Sequence, residues 1–173
     1  LKGKPGQTLW LHSAALPAQR VLLVGCGPRE EMSDATYRKI LAGAFAALKG
    51  SAAKEALCCL AEVEVKGRGT AWKVGQAVQA ADAALYVFDQ LKSDKEQNGR
   101  PAVKKIQFPA DGREAAGEVE AGVRAGAAVS AGVALARDLG NLPGNICTPT
   151  YLAEQALALA GAYKSVKASV LDE

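Results

Sequence analysis

The residues of this chain whose types could do chemistry are few and scattered. Glu62 and Glu64 stand two apart near the end of Ala56–Val65, a largely apolar stretch that reads as a strand, and residues two apart share a strand face. A carboxylate pair divides acid and base roles when its two environments separate the pKa values. Lys66 continues the same face, so a solvated strand edge is the simpler reading. Glu114 with Glu118, and Glu120 with Arg124, have the spacing of neighbours on a helix surface. His12 is the one histidine, and no ligand-type residue lies near it in sequence. Of the four cysteines, Cys58 and Cys59 are adjacent while Cys26 and Cys147 stand alone, so there is no C-x-x-C pair. They read as reduced, mostly buried thiols of a cytoplasmic protein. Neither H-E-x-x-H nor a nucleophile elbow occurs. Residues alone therefore assign no catalytic position, no metal ligand and no cofactor-binding residue.

Two stretches could meet phosphate. Gly25-Cys26-Gly27 follows an apolar run and precedes a helix, the place of a phosphate loop. Glu30 stands where the third glycine belongs and Glu31 follows, and two carboxylates there repel a pyrophosphate. A plain strand-to-helix turn is the better reading. The second stretch holds Lys92, Lys95, Arg100, Lys104 and Lys105 against Asp94 and Glu96. Without interleaved aromatics such a run reads as a solvated face, with weak DNA contact as the functional alternative.

The elements that must position these residues follow from periodicity. Thr8–Ser13 reads as a first strand. Val21–Val24, a continuous apolar run, reads as a second, of the kind buried on both faces of a parallel sheet. Ser33 or Asp34 caps a helix with Tyr37, Ile40, Leu41, Ala44, Phe45 and Leu48 on one stripe, ended by Gly50. After the third strand, Ala56–Val65, Thr70 caps a helix carrying Val74, Ala77, Val78, Ala81 and Leu85. Leu85–Phe88 fits either a continuation of that helix or a strand. Asp89–Pro101 reads as a loop and Ala102–Phe108 as a fourth strand. Gly112–Leu139 reads as a long helix with Gly117, Gly122, Gly126 and Gly132 embedded, each costing about 1 kcal/mol against Ala. So many glycines predict a close neighbour. Val166, Ala168 and Val170 alternate as a last strand. Strands alternating with helices predict an α/β fold, a mostly parallel sheet flanked by helices and followed by a long linking helix.

Composition narrows the class further. At 173 residues the chain is long enough for one domain and a little more, and 49% hydrophobic with 23% charged residues is ordinary for a globular protein. A net charge of +3 is too small to imply a polyanion partner by itself. The longest uncharged apolar run, Ala125–Ala136, is short of the ~20 residues a membrane helix needs, and no signal peptide is evident. No membrane partner is expected. Position 1 is Leu rather than Met, which suggests a piece of a longer product.

The most distinctive stretch runs from Ala136 to Ala160, ARDLGNLPGNICTPTYLAEQALALA. Arg137 sits where a cation complements a helix C-terminus, Gly140 reads as its stop, and Pro143 cannot continue it. Asn141, Pro143 and Asn145 supply turn chemistry. Thr148 is an N-cap candidate, with Pro149 as the pre-organised first helical residue. The pattern Arg-Asp-Leu-Gly-Asn-Leu-Pro-Gly-Asn, then Thr-Pro-Thr-Tyr-Leu-Ala-Glu-Gln-Ala, closely resembles the interdomain segment of the leucine (cytosol) aminopeptidases. Val21–Gly27, the helix around Trp72 and Ala77, and Lys105–Phe108 fall in the order of that family.

The resemblance implies a macro-domain-like N-terminal α/β domain over 1–111, a linking helix and turn over 112–147, and the start of a catalytic domain over 148–173. It implies a two-metal exopeptidase with zinc or manganese ions, peptide substrates with leucine favoured, and a hexamer. The metal-binding and catalytic residues of that family lie in the C-terminal domain, so none is carried onto a position here. The chain is then expected to be inactive alone and to act as an architectural or regulatory part, partnered by its own catalytic domain. The resemblance also favours helix for Leu85–Phe88. The rival reading is a stand-alone macro-like module for a nucleotide or DNA.

Overall fold

The computed structural model describes residues 2–12, 18–91 and 100–171. The chain divides into two compact units, Leu1–Gly132 and Val133–Glu173, and the division falls inside the longest helix.

In the first unit, Thr8–His12 (β1) and Arg20–Val24 (β2) pair antiparallel, with Leu9 opposite Leu23 and Leu11 opposite Val21. This corrects the reading of Val21–Val24 as a strand buried on both faces of a parallel sheet. One face carries Trp10 against the core, while Leu9, Leu11 and Leu23 on the other are exposed. A run of apolar residues looks the same in sequence whether one face is covered or two.

Asp34–Lys49 (α1) forms as the pattern predicts. The Ser33 side chain accepts a hydrogen bond from the Thr36 amide, Gly50 closes the helix, and all six predicted stripe residues are buried. Burying each large aliphatic side chain contributes about 1.5–3 kcal/mol. Thr70–Leu85 (α2) lies against α1 and buries Val74, Gly75, Ala77 and Ala81. Its cap residue is Gly69, with no side-chain bond, so Thr70 is the first helical residue rather than the cap. The core gathers Tyr37, Leu41, Phe45, Leu48, Cys58, Val65, Ala77 and Ala81.

Glu55–Leu57 (β3) pairs parallel with Lys105–Gln107 (β4). The strand expected over Ala56–Val65 therefore stops early. Its last ladder bond runs from the Cys58 amide to the Gln107 carbonyl at 2.8 Å, and Cys59–Glu62 then winds into a 3-10 turn that buries Ala61. Leu85 is the last residue of α2; at Tyr86 the backbone becomes extended, so the rest of the expected stretch, through Phe88, neither continues the helix nor joins a strand. The α/β class holds, with the parallel part confined to this small pair.

Gly112–Asn141 (α3) is a 30-residue helix. Two of its glycines have the close neighbour their number predicted. A Cβ on Gly126 would lie 2.8 Å from both the Gly75 carbonyl oxygen and the Val78 Cβ of α2, and Gly122 is tighter still. Gly117 and Gly132 meet nothing within 4 Å. By length and composition α3 is apolar enough to cross a membrane, which the run Ala125–Ala136 alone is not. Its apolar character comes from Ala, Gly and Val, and the glycines at 122 and 126 are pressed onto α2 within the first unit.

The second unit contains Pro149–Ala162 (α4) and no buried side chain among its described residues. The alternating Val166, Ala168 and Val170 form no strand, because no neighbouring strand pairs with them among the described residues.

Candidate functional site

The sequence places its most specific residues at the junction within the second unit. Arg137 and Gly140 lie inside α3, which runs on through Asn141, so neither the basic last turn nor the glycine stop is realised. The stop comes from Pro143, whose ring disfavours helical backbone at the residue before it. The Pro143 carbonyl accepts from the Ile146 and Cys147 amides, both at 2.9 Å, and closes a tight turn containing Asn145. Thr148 caps α4 as expected: its hydroxyl oxygen accepts from the Tyr151 amide at 3.2 Å, and Pro149 follows as the first helical residue. These seven residues build a helix–turn–helix connection. They bring together no acid, base or nucleophile set.

The other candidates do not converge either. Glu62 lies in the 3-10 turn, while Glu64 is ion-paired with Arg29 on the surface. The hydrogen bond from Arg29, with its charge, holds the Glu64 carboxyl below the usual carboxylate range. His12 is exposed on β1. All four cysteines are free, and Cys58 is the buried one. Cys26 and Cys147 are half-buried and Cys59 is exposed, which corrects the expectation of mostly buried thiols. Burial pushes the Cys58 and Cys26 thiols up, away from the reactive thiolate form.

At Gly25–Gly27 the donors a phosphate would need are taken. The Gly25 amide donates to the Gln7 carbonyl at 2.7 Å and the Gly27 amide to the Gly3 carbonyl at 2.9 Å. The helix that follows this turn directly is a three-residue 3-10 turn, Arg29–Glu31. Of the basic run, Lys92 and Lys95 lie outside the described residues. Arg100 is ion-paired with Asp89, and the amides of Lys104 and Lys105 both reach the Lys54 carbonyl.

Two arrangements have little signal in the sequence. Trp72 has the Arg68 guanidinium 4.8 Å and the Arg38 guanidinium 5.8 Å from its ring centroid, with Tyr37 packed at 5.8 Å. Arg68 is fixed by a two-pronged bond to Asp34, at 2.6 and 3.1 Å, and Arg38 by Gln76 at 2.6 Å. Arg68 stands only four residues before Trp72, but the Arg38–Trp72 contact and the Arg68–Asp34 bond each span 34 residues, with no local spacing to announce them. The other is an open cavity of about 360 Å³ at the exit of α2, bordered by the Asp89–Arg100 pair.

A two-metal centre needs converging carboxylate or imidazole ligands and an open position for water. No group of three or more His, Cys, Asp or Glu that could hold an ion occurs among the described residues, so these residues do not fit such a centre.

A profile of the N-terminal domain of the cytosol aminopeptidase family matches residues 1–95. The chain belongs to the cytosol aminopeptidase family. A probable cytosol aminopeptidase of Thioalkalivibrio sulfidiphilus is 46% identical over 176 residues, covering 100% of this chain and 35% of its own length. The cytosol aminopeptidase of Vibrio cholerae is 43% identical over 174 residues, covering 100% of this chain and 34% of its own. Among solved structures, the bottromycin maturation enzyme BotP superposes with a TM-score of 0.75 at 26% identity, over 94% of this chain and 32% of that one. A tomato leucine aminopeptidase variant gives 0.68 at 28% identity, over 94% and 31%. BotP is also known in complex with manganese. The chain thus spans about a third of the length of the curated cytosol aminopeptidases it matches.

Proposed function

We propose that this chain is the N-terminal, non-catalytic portion of a metal-dependent leucine aminopeptidase that releases N-terminal residues from peptides in the cytoplasm. The carrying observation is the match to the family's N-terminal domain in a chain spanning about a third of its relatives' length. Residues 1–111 form the N-terminal domain in this reading, 112–147 the linking helix and turn, and 148–173 the start of the catalytic domain. The two divalent ions, zinc or manganese, are held by residues outside this chain. The role of the chain is architectural and regulatory: it supports a hexamer and limits access to the peptide site. The exposed apolar side chains of α4, Leu152, Leu157 and Leu159, support a continuation, because a helix apolar on several faces is a buried one when its domain is complete.

The test is direct. The purified chain, supplied with Mn²⁺ or Zn²⁺, is expected to release no product from a leucine anilide and to retain no stoichiometric pair of ions on dialysis. Turnover, or two tightly held ions, overturns the assignment. A stand-alone nucleotide- or DNA-binding module instead predicts salt-dependent retardation of duplex DNA or heat on titration with ADP-ribose.

A further inference from the structure

The cavity at the exit of α2 is lined by both apolar and charged residues. Leu85, Val87 and Val103 contribute apolar side chains to it, and Asp89, Arg100 and Lys104 contribute charges of both signs. Asp89 and Arg100 are ion-paired, and their side chains are 27% and 48% exposed, so the pair is partly withdrawn from water at the cavity. Val87 is itself 36% exposed. At about 360 Å³ the cavity stands at the small end of the range for ligand pockets, roughly 300–1,000 Å³.

This combination has a specific chemical complement. Apolar lining residues take an aliphatic side chain, a carboxylate takes an ammonium group, and a guanidinium beside a lysine takes a carboxylate. We propose that this cavity binds a free α-amino acid with an aliphatic side chain, the ammonium on Asp89 and the carboxylate on Arg100 and Lys104. The zwitterion inserts between Asp89 and Arg100 and replaces one ion pair by two, so no charge is left unpartnered. An uncharged apolar molecule would have to leave the existing pair intact and would gain only the apolar contacts. A dicarboxylate would meet Asp89 with a like charge.

The proposal rests on the reading of the parent as an exopeptidase, whose product is such an amino acid. The site would then sense product on a portion of the chain that does no chemistry. The test is read on binding alone, by calorimetric titration of the intact chain with L-leucine. Saturable binding is expected, weakened about tenfold or more for leucinamide, which lacks the carboxylate, and for 4-methylpentanoate, which lacks the ammonium group. Arg100→Ala and Asp89→Asn should each weaken L-leucine by a similar factor. The double variant Asp89→Arg with Arg100→Asp keeps an ion pair, and thus the fold, while reversing the charges. It too should lose binding, with an unchanged melting curve. No heat with L-leucine, equal affinity for the two truncated analogues, or full affinity in the charge-reversed variant would overturn the assignment. Because no hydrolysis is measured, each of these failures leaves the exopeptidase reading standing, and failure of that reading leaves the binding result intact.

Discussion

Gly122 of α3 and Ala71 of α2 meet backbone to backbone: a Cβ on Gly122 would lie 2.5 Å from the Ala71 carbonyl oxygen and 2.8 Å from the Val74 Cβ. Neither obstacle is the flexible end of a side chain, so an added methyl must push the helices apart. Gly122→Ala is expected to destabilise the first unit by about 1–3 kcal/mol of overpacking, less about 1 kcal/mol regained from helix propensity. Gly132→Ala in the same helix meets nothing within 4 Å and should gain the propensity term alone, up to about 1 kcal/mol. Urea denaturation of the two variants side by side decides the point. Two changes of the same sign would mean that α3 is not held against α2 as described.

The Tyr37 hydroxyl donates to the Leu60 carbonyl at 3.1 Å, with the Lys73 carbonyl at 3.4 Å as a second acceptor. Burial pushes this phenol well above its ordinary pKa, and the neighbouring Cys58 and Cys26 push the same way. In the unfolded chain the phenol ionises near its usual value, about 10. Above that pH the unfolded state holds fewer protons than the native one, so stability must fall as pH rises. Below pH ~10 the contribution is fully present. Tyr37→Phe should cost about 1 kcal/mol at neutral pH through the lost hydrogen bond. Above pH ~10 its stability curve should descend less steeply than that of the wild type. Parallel curves across that window would refute the assignment.

Much of the first unit was legible because its signals are local. The stripe from Tyr37 to Leu48 repeats at helical spacing, Ser33 and Gly50 bracket it, and each of these residues does what its spacing implies. Thr148 and Pro149 were equally readable, since a cap and a first-turn proline act within four residues. The failures are where the deciding partner is remote. Ala56–Val65 has a strand-like composition, but its length as a strand is set by β4, some fifty residues on. Gly140 has the chemistry of a helix stop, yet α3 passes through it to Asn141, and Pro143 imposes the end. The Asp34–Arg68 and Asp89–Arg100 pairs each join residues brought together by the fold, with no pattern in the chain between them. The junction residues were found, but their spacing carried family membership rather than chemistry.

Asp34 opens α1, and its carboxylate receives both prongs of Arg68, whose guanidinium also lies over Trp72. The hydrogen bond from Arg68 and its charge, with a smaller contribution from Arg38, hold the Asp34 carboxyl below the usual carboxylate range. For a depressed pKa the stabilisation is present above the unfolded value, near 3.9, and is lost as pH falls through the lower native value. Asp34→Asn keeps the size and removes the titration, so its acid unfolding curve should be flatter than the wild-type curve below pH ~4. Circular dichroism against pH checks this. The pair is partly open to solvent, so high salt should narrow the difference between the two curves. An identical acid limb in both proteins would remove Asp34 from the account.

Thr148 does for α4 what burial does for α1. The second unit has no buried side chain among its described residues, so the start of its helix depends on local bonds: the Thr148 hydroxyl to the Tyr151 amide, and the Thr148 carbonyl to the Leu152 amide at 3.0 Å. Thr148→Ala removes the first and should cost about 1 kcal/mol of helix stability, whereas Thr148→Ser keeps the acceptor and should cost little. Without a core to absorb the loss, the effect should appear as faster hydrogen exchange at the Tyr151 amide rather than as a shift in the main unfolding transition, which the first unit dominates. Faster exchange in both variants alike would mean that the hydroxyl cap does not hold the first turn. No change in either would mean that Pro149 alone suffices to start the helix.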